Sequence, residues 1–176
     1  MTMQKYHKAI CGLGPGDHLC CFYETDDERR LLLSSFMATA LKGPHKVLYV
    51  ADAPASQDVV CNLDGAGVSV AEALDTGQLS ILTPPESYLR AGRFDADAMI
   101  GLVQCEMRRA LGDGYQALYA AGEMSWAAGA EPGVESLMEY EAKLNETMGG
   151  EPFIILCLYD RRLFSRNFLP VILKGF

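Results

Sequence analysis

Two kinds of apolar pattern alternate along the chain. Short runs are apolar at nearly every position: His18 to Tyr23, Lys46 to Ala51, Leu79 to Thr83, Ala117 to Ala121 and Phe153 to Leu158. That is the pattern of strands covered on both faces. Between them, apolar residues recur at helical spacing. Leu31, Leu32, Leu33, Phe36 and Met37 mark a helix from Asp26 to Leu41, and Met99, Leu102, Val103 and Met107 mark one from Ala96 to Leu111. Further helices are expected from Pro54 and Ser56 to Leu63, over Val70 to Asp75, from Pro132 to just before Gly149-Gly150, and from Ser165 onward. Strand and helix alternate, which predicts a mostly parallel five-stranded sheet with right-handed crossovers, flanked by helices in a three-layer α/β fold. Residues 1–17 read as an N-terminal arm ending in the turn cluster Gly12 to Asp17, and residues 18–176 as a single domain.

The turn after the first strand is where many nucleotide-binding α/β proteins carry a glycine-rich phosphate loop. Here it reads Tyr23-Glu24-Thr25-Asp26-Asp27-Glu28, with neither G-x-x-x-x-G-K-[ST] nor G-x-G-x-x-G. Thr25 stands three residues before Glu28, a capping box that engages the N–H groups a phosphate would need. Four carboxylates at the helix start repel the same anion. ATP binding is not expected.

Composition narrows the partners. The chain has 176 residues, 49% of them hydrophobic, enough for one sizeable core. A net charge of −8 argues against nucleic acid or an anionic membrane as a direct partner. No apolar run approaches the ~20 residues of a membrane span, and the polar start Met1 to Ile10 lacks a signal core. A cytoplasmic protein is expected. Six cysteines, at 11, 20, 21, 61, 105 and 157, are scattered and suit reduced thiols better than a disulfide framework.

Ligands of open α/β sheets bind beyond the carboxyl ends of the strands. Three such ends carry polar or aromatic groups: Tyr23-Glu24, Glu123 with Trp126, and Tyr159-Asp160-Arg161. Glu123 follows an apolar strand and precedes Met124 and the single tryptophan, so a half-buried carboxylate paired with Arg161 or Arg162 is expected. One reading is a structural ion pair pinning two loops. The other is a pocket lined by Tyr23, Trp126 and Tyr159, with Glu24, Glu123, Asp160 and Arg161 as its polar groups. His18 and Cys20 share one strand face, roughly 7 Å apart. With Cys157 they would form a soft metal set if strand five pairs with strand one. Without C-x-x-C or H-x-x-x-H spacing, a buried thiol beside a capped histidine is the simpler reading, and no metal is assigned. The acidic helix start disfavours Cys20 as a nucleophilic thiolate. His7, His45, the Tyr140-Glu141 helix face, Arg108 and Arg109 read as surface. No cofactor follows from these residues.

Several blocks together resemble a known family. His18-x-Cys20-x-x-Tyr23-Glu24, Lys46-Val47-Leu48-Tyr49-Val50, Gly77-Gln78-Leu79, Gly122-Glu123-Met124-Ser125-Trp126, Tyr140-Glu141-x-x-x-Asn145 and Tyr159-Asp160-Arg161-Arg162 are similar to the MEDS domain, over about residues 17–170. That is the sensory domain named for methanogens, methylotrophs and a dichloromethane-responsive repressor. The resemblance implies a non-enzymatic sensory module of bacterial or archaeal signal transduction and transcription regulation. It implies a small, hydrocarbon-derived organic ligand, and a DNA-binding or kinase effector acting in trans or in a longer parent chain. The order of elements also resembles a RecA/KaiC-like core without its phosphate loop, which implies the strand order three-two-four-five-one. In that core Glu123 falls near the acidic residue that helps hold Mg²⁺, but the Lys and Ser/Thr partners are absent. Two rival readings stand beside this one: a small hydrolase or transferase with Glu123 as base and Cys20 or Tyr159 nearby, and a protein-interaction module descended from an ATPase. The apolar first strand, at a sheet edge in that order, is expected to be covered by the arm or by a second subunit in a homodimer.

Overall fold

Thr25 ends the first strand's turn in an extended conformation (φ −131°, ψ 153°), and its hydroxyl accepts from Glu28 N–H at 3.2 Å. Glu28 reaches back to Glu24 N–H at 2.8 Å, one residue before the cap. The first helix starts there. The computed structural model describes residues 10, 12–51, 56–147 and 149–164. The elements are β1 (His18–Tyr23), α1 (Asp26–Leu41), β2 (His45–Val50), α2 (Ser56–Gly65), α3 (Val70–Asp75), β3 (Leu79–Leu82), α4 (Ala96–Gly112), β4 (Ala117–Glu123), α5 (Leu137–Thr147) and β5 (Phe153–Asp160). Short 3-10 turns lie at Pro84–Glu86, Ser125–Ala128 and Val134–Ser136. Residues 1–9 and 11 of the expected arm, and the helix expected from Ser165, lie outside the described residues.

All five strands pair in parallel, in the order β1-β5-β4-β2-β3. This is the three-two-four-five-one order read from the other edge. One face of the sheet packs Val47, Tyr49, Tyr119, Leu156 and Leu158 against Leu32, Leu33, Phe36 and Met37 of α1, and Val59 and Leu63 of α2. The other face packs Leu48, Val50, Leu118, Phe153 and Ile155 against Met99, Val103 and Met107 of α4, and Leu137, Tyr140 and Leu144 of α5. Both layers are apolar because every strand is covered twice.

Two differences from the sequence reading bear on the site. β4 and β5 each run two residues further than their apolar runs, to Glu123 and Asp160. The ladder holds them: Glu123 lies opposite Leu158, and Asp160 opposite Tyr23. The last described helix begins at Leu137 and not at Pro132. Gly133 takes a left-handed conformation (φ 90°) because Phe94 N–H bonds Pro132 O at 2.7 Å and the Phe94 carbonyl fills the place of a Cβ at 133.

Candidate functional site

Successive strand side chains point to opposite faces, so the residues expected at one pocket divide between two. Tyr23, Glu123 and Asp160 lie on the α1 face. Tyr159 and Trp126 pack on the α4/α5 face. Glu24 and Arg161 are exposed at the rim.

On the α1 face the carboxylate of Glu123 is 2% exposed, and its partner is Arg29 rather than Arg161 or Arg162. Arg29 Nη1 donates to both carboxylate oxygens, at 3.2 and 3.4 Å, and the Tyr49 hydroxyl donates to Oε1. Burial and the adjacent carboxylate push the Tyr49 phenol well above its ordinary pKa, which keeps it a donor. Arg29 sits three, four and seven residues before Leu32, Leu33 and Phe36, on the buried stripe of α1. Arg161 instead reaches Glu24 at 3.3 Å, with 47% of its side chain exposed. Arg162 grips Asp160 through Nε and Nη2 and extends Nη2 to Asp26 at 2.7 Å. The Arg162 hydrogen bond and charge hold the Asp26 carboxyl below its usual range. The end of β5 is thus tied to the start of α1, and the acidic turn is neutralised by this chain's own arginines.

The α4/α5 face carries two adjoining clusters. In the first, Trp126 stacks on Tyr88 (ring centroids 4.9 Å apart, 24° between planes) and packs on Phe94 at 4.9 Å. Tyr140 meets both Tyr88 and Phe94 edge-on. Trp126 is 8% exposed, and its indole N–H has no hydrogen-bond partner among the described residues. Gly122 is required beneath it, because a Cβ there would collide with the Tyr88 hydroxyl. Tyr88 and Met99 form a wall between two spaces. Outside is an open groove of about 600 Å³ that also takes in Arg90, Arg93, Leu102 and Arg109. Inside is a narrow apolar cavity bordered by Leu48, Val50, Ile155 and Cys157.

The second cluster gathers His18, Cys20 and Glu141, with the His18 and Glu141 side chains 1% and 2% exposed. His18 Nε2 lies 3.0 Å from Glu141 Oε2, and Cys20 Sγ lies 3.2 Å from the same oxygen and 3.7 Å from His18 Nε2. Asn145 Oδ1 is 3.2 Å from His18 Nδ1, and the Tyr159 hydroxyl donates to Glu141 Oε1. Burial alone would lower the His18 pKa. The hydrogen bonds to Cys20 and Glu141, with the charge they carry, outweigh it and hold it at about 10. Cys157 faces Cys20 across the β1–β5 ladder; a hydrogen bond with the Cys20 side chain, then burial, pushes its thiol pKa well up. The Tyr140-Glu141 face is therefore interior, not surface. Glu141 stands on the stripe of Leu137 and Leu144, four residues after one and three before the other, and that spacing was the available signal. His45 is half-buried, not exposed, and its ring packs at a tilt against Tyr119, with centroids 5.1 Å apart; burial lowers its pKa. Arg108 and Arg109 are exposed as expected.

The family model of the methanogen/methylotroph, DcmR sensory domain (MEDS) matches residues 17–174. The chain belongs to the MEDS family. This MEDS chain is 27% identical over 160 residues to the transcriptional repressor DcmR of Methylorubrum extorquens, a match that takes in 90% of this chain and 57% of the repressor. It therefore spans little more than half the length of that relative. Among solved structures, its fold is similar to the flagellar accessory protein FlaH from Methanocaldococcus jannaschii, with a TM-score of 0.53, 15% identity, and coverage of 99% of this chain and 75% of that one. It is also similar to a KaiC-like protein from Pyrococcus horikoshii OT3, with a TM-score of 0.52, 12% identity, and coverage of 90% and 68%. At those identities the likeness is one of fold. Family and repressor relative together support a sensory, regulatory role for this MEDS domain. Among the described residues no helix is long and apolar enough to cross a membrane.

Proposed function

We propose that this MEDS domain is a non-enzymatic sensor for a small organic molecule, bound on the α4/α5 face beside Trp126. The domain then signals to an effector in trans or in the same longer chain. The observation that carries this reading is the Trp126 indole N–H: a strong donor, buried in a ring of aromatics, with no partner among the described residues. A buried donor left unmatched costs free energy. A ligand offering one acceptor on an apolar body removes that cost and packs on Tyr88 and Phe94. Tyr88, which stacks on Trp126, also lines the open groove, and a ligand would approach from that side. An enzymatic reading draws less support, since both oxygens of Glu123 are engaged by Arg29 and one also by Tyr49. A base must be free to take a proton.

Trp126 is the single tryptophan, so its fluorescence reports the site directly. Titration with short-chain alcohols, amides and halogenated hydrocarbons is expected to give a saturable shift for at least one of them, weakened at least tenfold by Tyr88→Ala. No saturable change with any member of the panel, together with no retained molecule in native mass spectrometry, overturns the reading.

A further inference from the structure

A second site lies one cluster away, and it does not depend on the organic-ligand reading. We propose that His18 Nε2, Cys20 Sγ and Glu141 Oε2 bind one Zn²⁺ ion.

The three donor atoms form a triangle with edges of 3.0 Å (N to O), 3.2 Å (S to O) and 3.7 Å (S to N). In tetrahedral zinc, bond lengths of about 2.0–2.1 Å to nitrogen, 2.3 Å to sulfur and 2.0–2.2 Å to oxygen put those pairs about 3.3, 3.5 and 3.5 Å apart. The triangle has the dimensions of one face of that tetrahedron. Small shifts of a few tenths of an ångström would seat an ion without moving β1 or α5. The donor set selects the metal. One imidazole, one thiol and one carboxylate suit a borderline-soft cation, whereas Mg²⁺ and Ca²⁺ want oxygens alone.

The surroundings are also those of a metal site. A ligating histidine is held by an acceptor on its other nitrogen, and Asn145 Oδ1 stands 3.2 Å from His18 Nδ1. A ligating carboxylate is held by a donor on its other oxygen, and the Tyr159 hydroxyl fills that role on Glu141 Oε1. His18 and Glu141 are almost wholly buried, while Cys20 is only half-buried and leaves a side open to the ion. Three elements converge here: β1 brings His18 and Cys20 to one face, α5 brings Glu141 and Asn145, and β5 brings Tyr159. Cys157 touches the group through Cys20 but stands outside the three-atom triangle. The set is therefore three protein ligands with a fourth position left for an exchangeable one, the arrangement of reactive rather than closed structural zinc.

A hydrogen-bonded triad has the same short distances, so the test must see the metal–sulfur bond. The full chain, stripped with a chelator under reducing conditions, is titrated with Co²⁺ and then with Zn²⁺. One equivalent of Co²⁺ is expected to bind and to give intense visible bands of tetrahedral cobalt with a thiolate-to-cobalt charge-transfer band. One equivalent of Zn²⁺ should abolish both. Cys20→Ser should lose the charge-transfer band, and Glu141→Gln and Asn145→Ala should each weaken binding at least tenfold. Cys61→Ser and Cys105→Ser, at exposed positions, should leave the spectrum unchanged. If Cys20→Ser does not fold, Glu141→Gln carries the test, with folding checked by circular dichroism. No stoichiometric binding by the parent chain overturns the proposal, and so does an unchanged charge-transfer band in Cys20→Ser or unchanged affinity in Glu141→Gln.

Discussion

Arg29 is the residue on which the α1 face turns. It is 5% exposed and faces an equally buried carboxylate, so its removal strands Glu123 in the core. Arg29→Ala is expected to cost about 3–5 kcal/mol, the usual penalty for leaving one partner of a buried pair behind. Arg161→Ala, at a half-exposed pair with Glu24, should cost at most about 1 kcal/mol. Urea denaturation monitored at Trp126 separates the two, and equal losses would show that Glu123 is not held by Arg29. At this scale the sequence was half legible. That Glu123 is buried and needs a cation follows from an apolar strand leading into Met124 and Trp126. Which cation it takes does not follow from distance along the chain, because Arg29 lies 94 residues away and the arginines just beyond β5 have nearer carboxylates of their own. Glu141 is a second case of this kind. A charged residue on a helical stripe of apolar ones is a buried polar group in need of a partner, and Arg29 and Glu141 both stand on such stripes.

Among the elements, the start of α1 departs most from the glycine-rich phosphate loop that many nucleotide-binding α/β proteins carry there. Its Glu28 N–H is taken by the Thr25 hydroxyl, and the Glu28 carboxylate folds back on the Glu24 N–H. Glu24 and Asp26 then meet Arg161 and Arg162 from the end of β5. The pairing of anion with cation that a phosphate would complete is already made by side chains. Calorimetry with Mg-ATP at millimolar concentration is accordingly expected to show no binding; a low-micromolar dissociation constant would contradict this account of the turn. The acidic turn was plain in the sequence because capping boxes are local. The lengths of β4 and β5 were less so. Polar residues at a strand end read as loop until the neighbouring strand is known, and here the ladder carries Glu123 opposite Leu158 and Asp160 opposite Tyr23.

For the whole molecule, alternating strands and helices made a mostly parallel sheet readable, and the strand order followed from the resemblance to a RecA/KaiC-like core. The pocket was not readable, because a period of two sends Tyr159 and Asp160 to opposite sides of one sheet, and the 3-10 turn after β4 lays Trp126 on the face away from Glu123. That division gives the faces different work: the α1 face is locked by its buried ion pair, while the α4/α5 face holds the His18-Cys20-Glu141 group and the Trp126 donor, which has no partner among the described residues. The order also puts β1 at an edge. Among the described residues β1 pairs with β5 alone, and Leu19, Cys20 and Phe22 are half-buried. An edge whose run from Leu19 to Phe22 carries no charge is a template for another chain. We expect residues 1–14 or a second subunit to cover it, and light scattering on the full chain and on a chain lacking residues 1–14 distinguishes these. A monomeric parent whose truncated form associates as concentration rises assigns the cover to the arm. A dimeric parent that stays dimeric on truncation assigns it to the partner, as a two-fold interface would. If both forms are soluble monomers at every concentration, the edge needs no cover and the expectation fails.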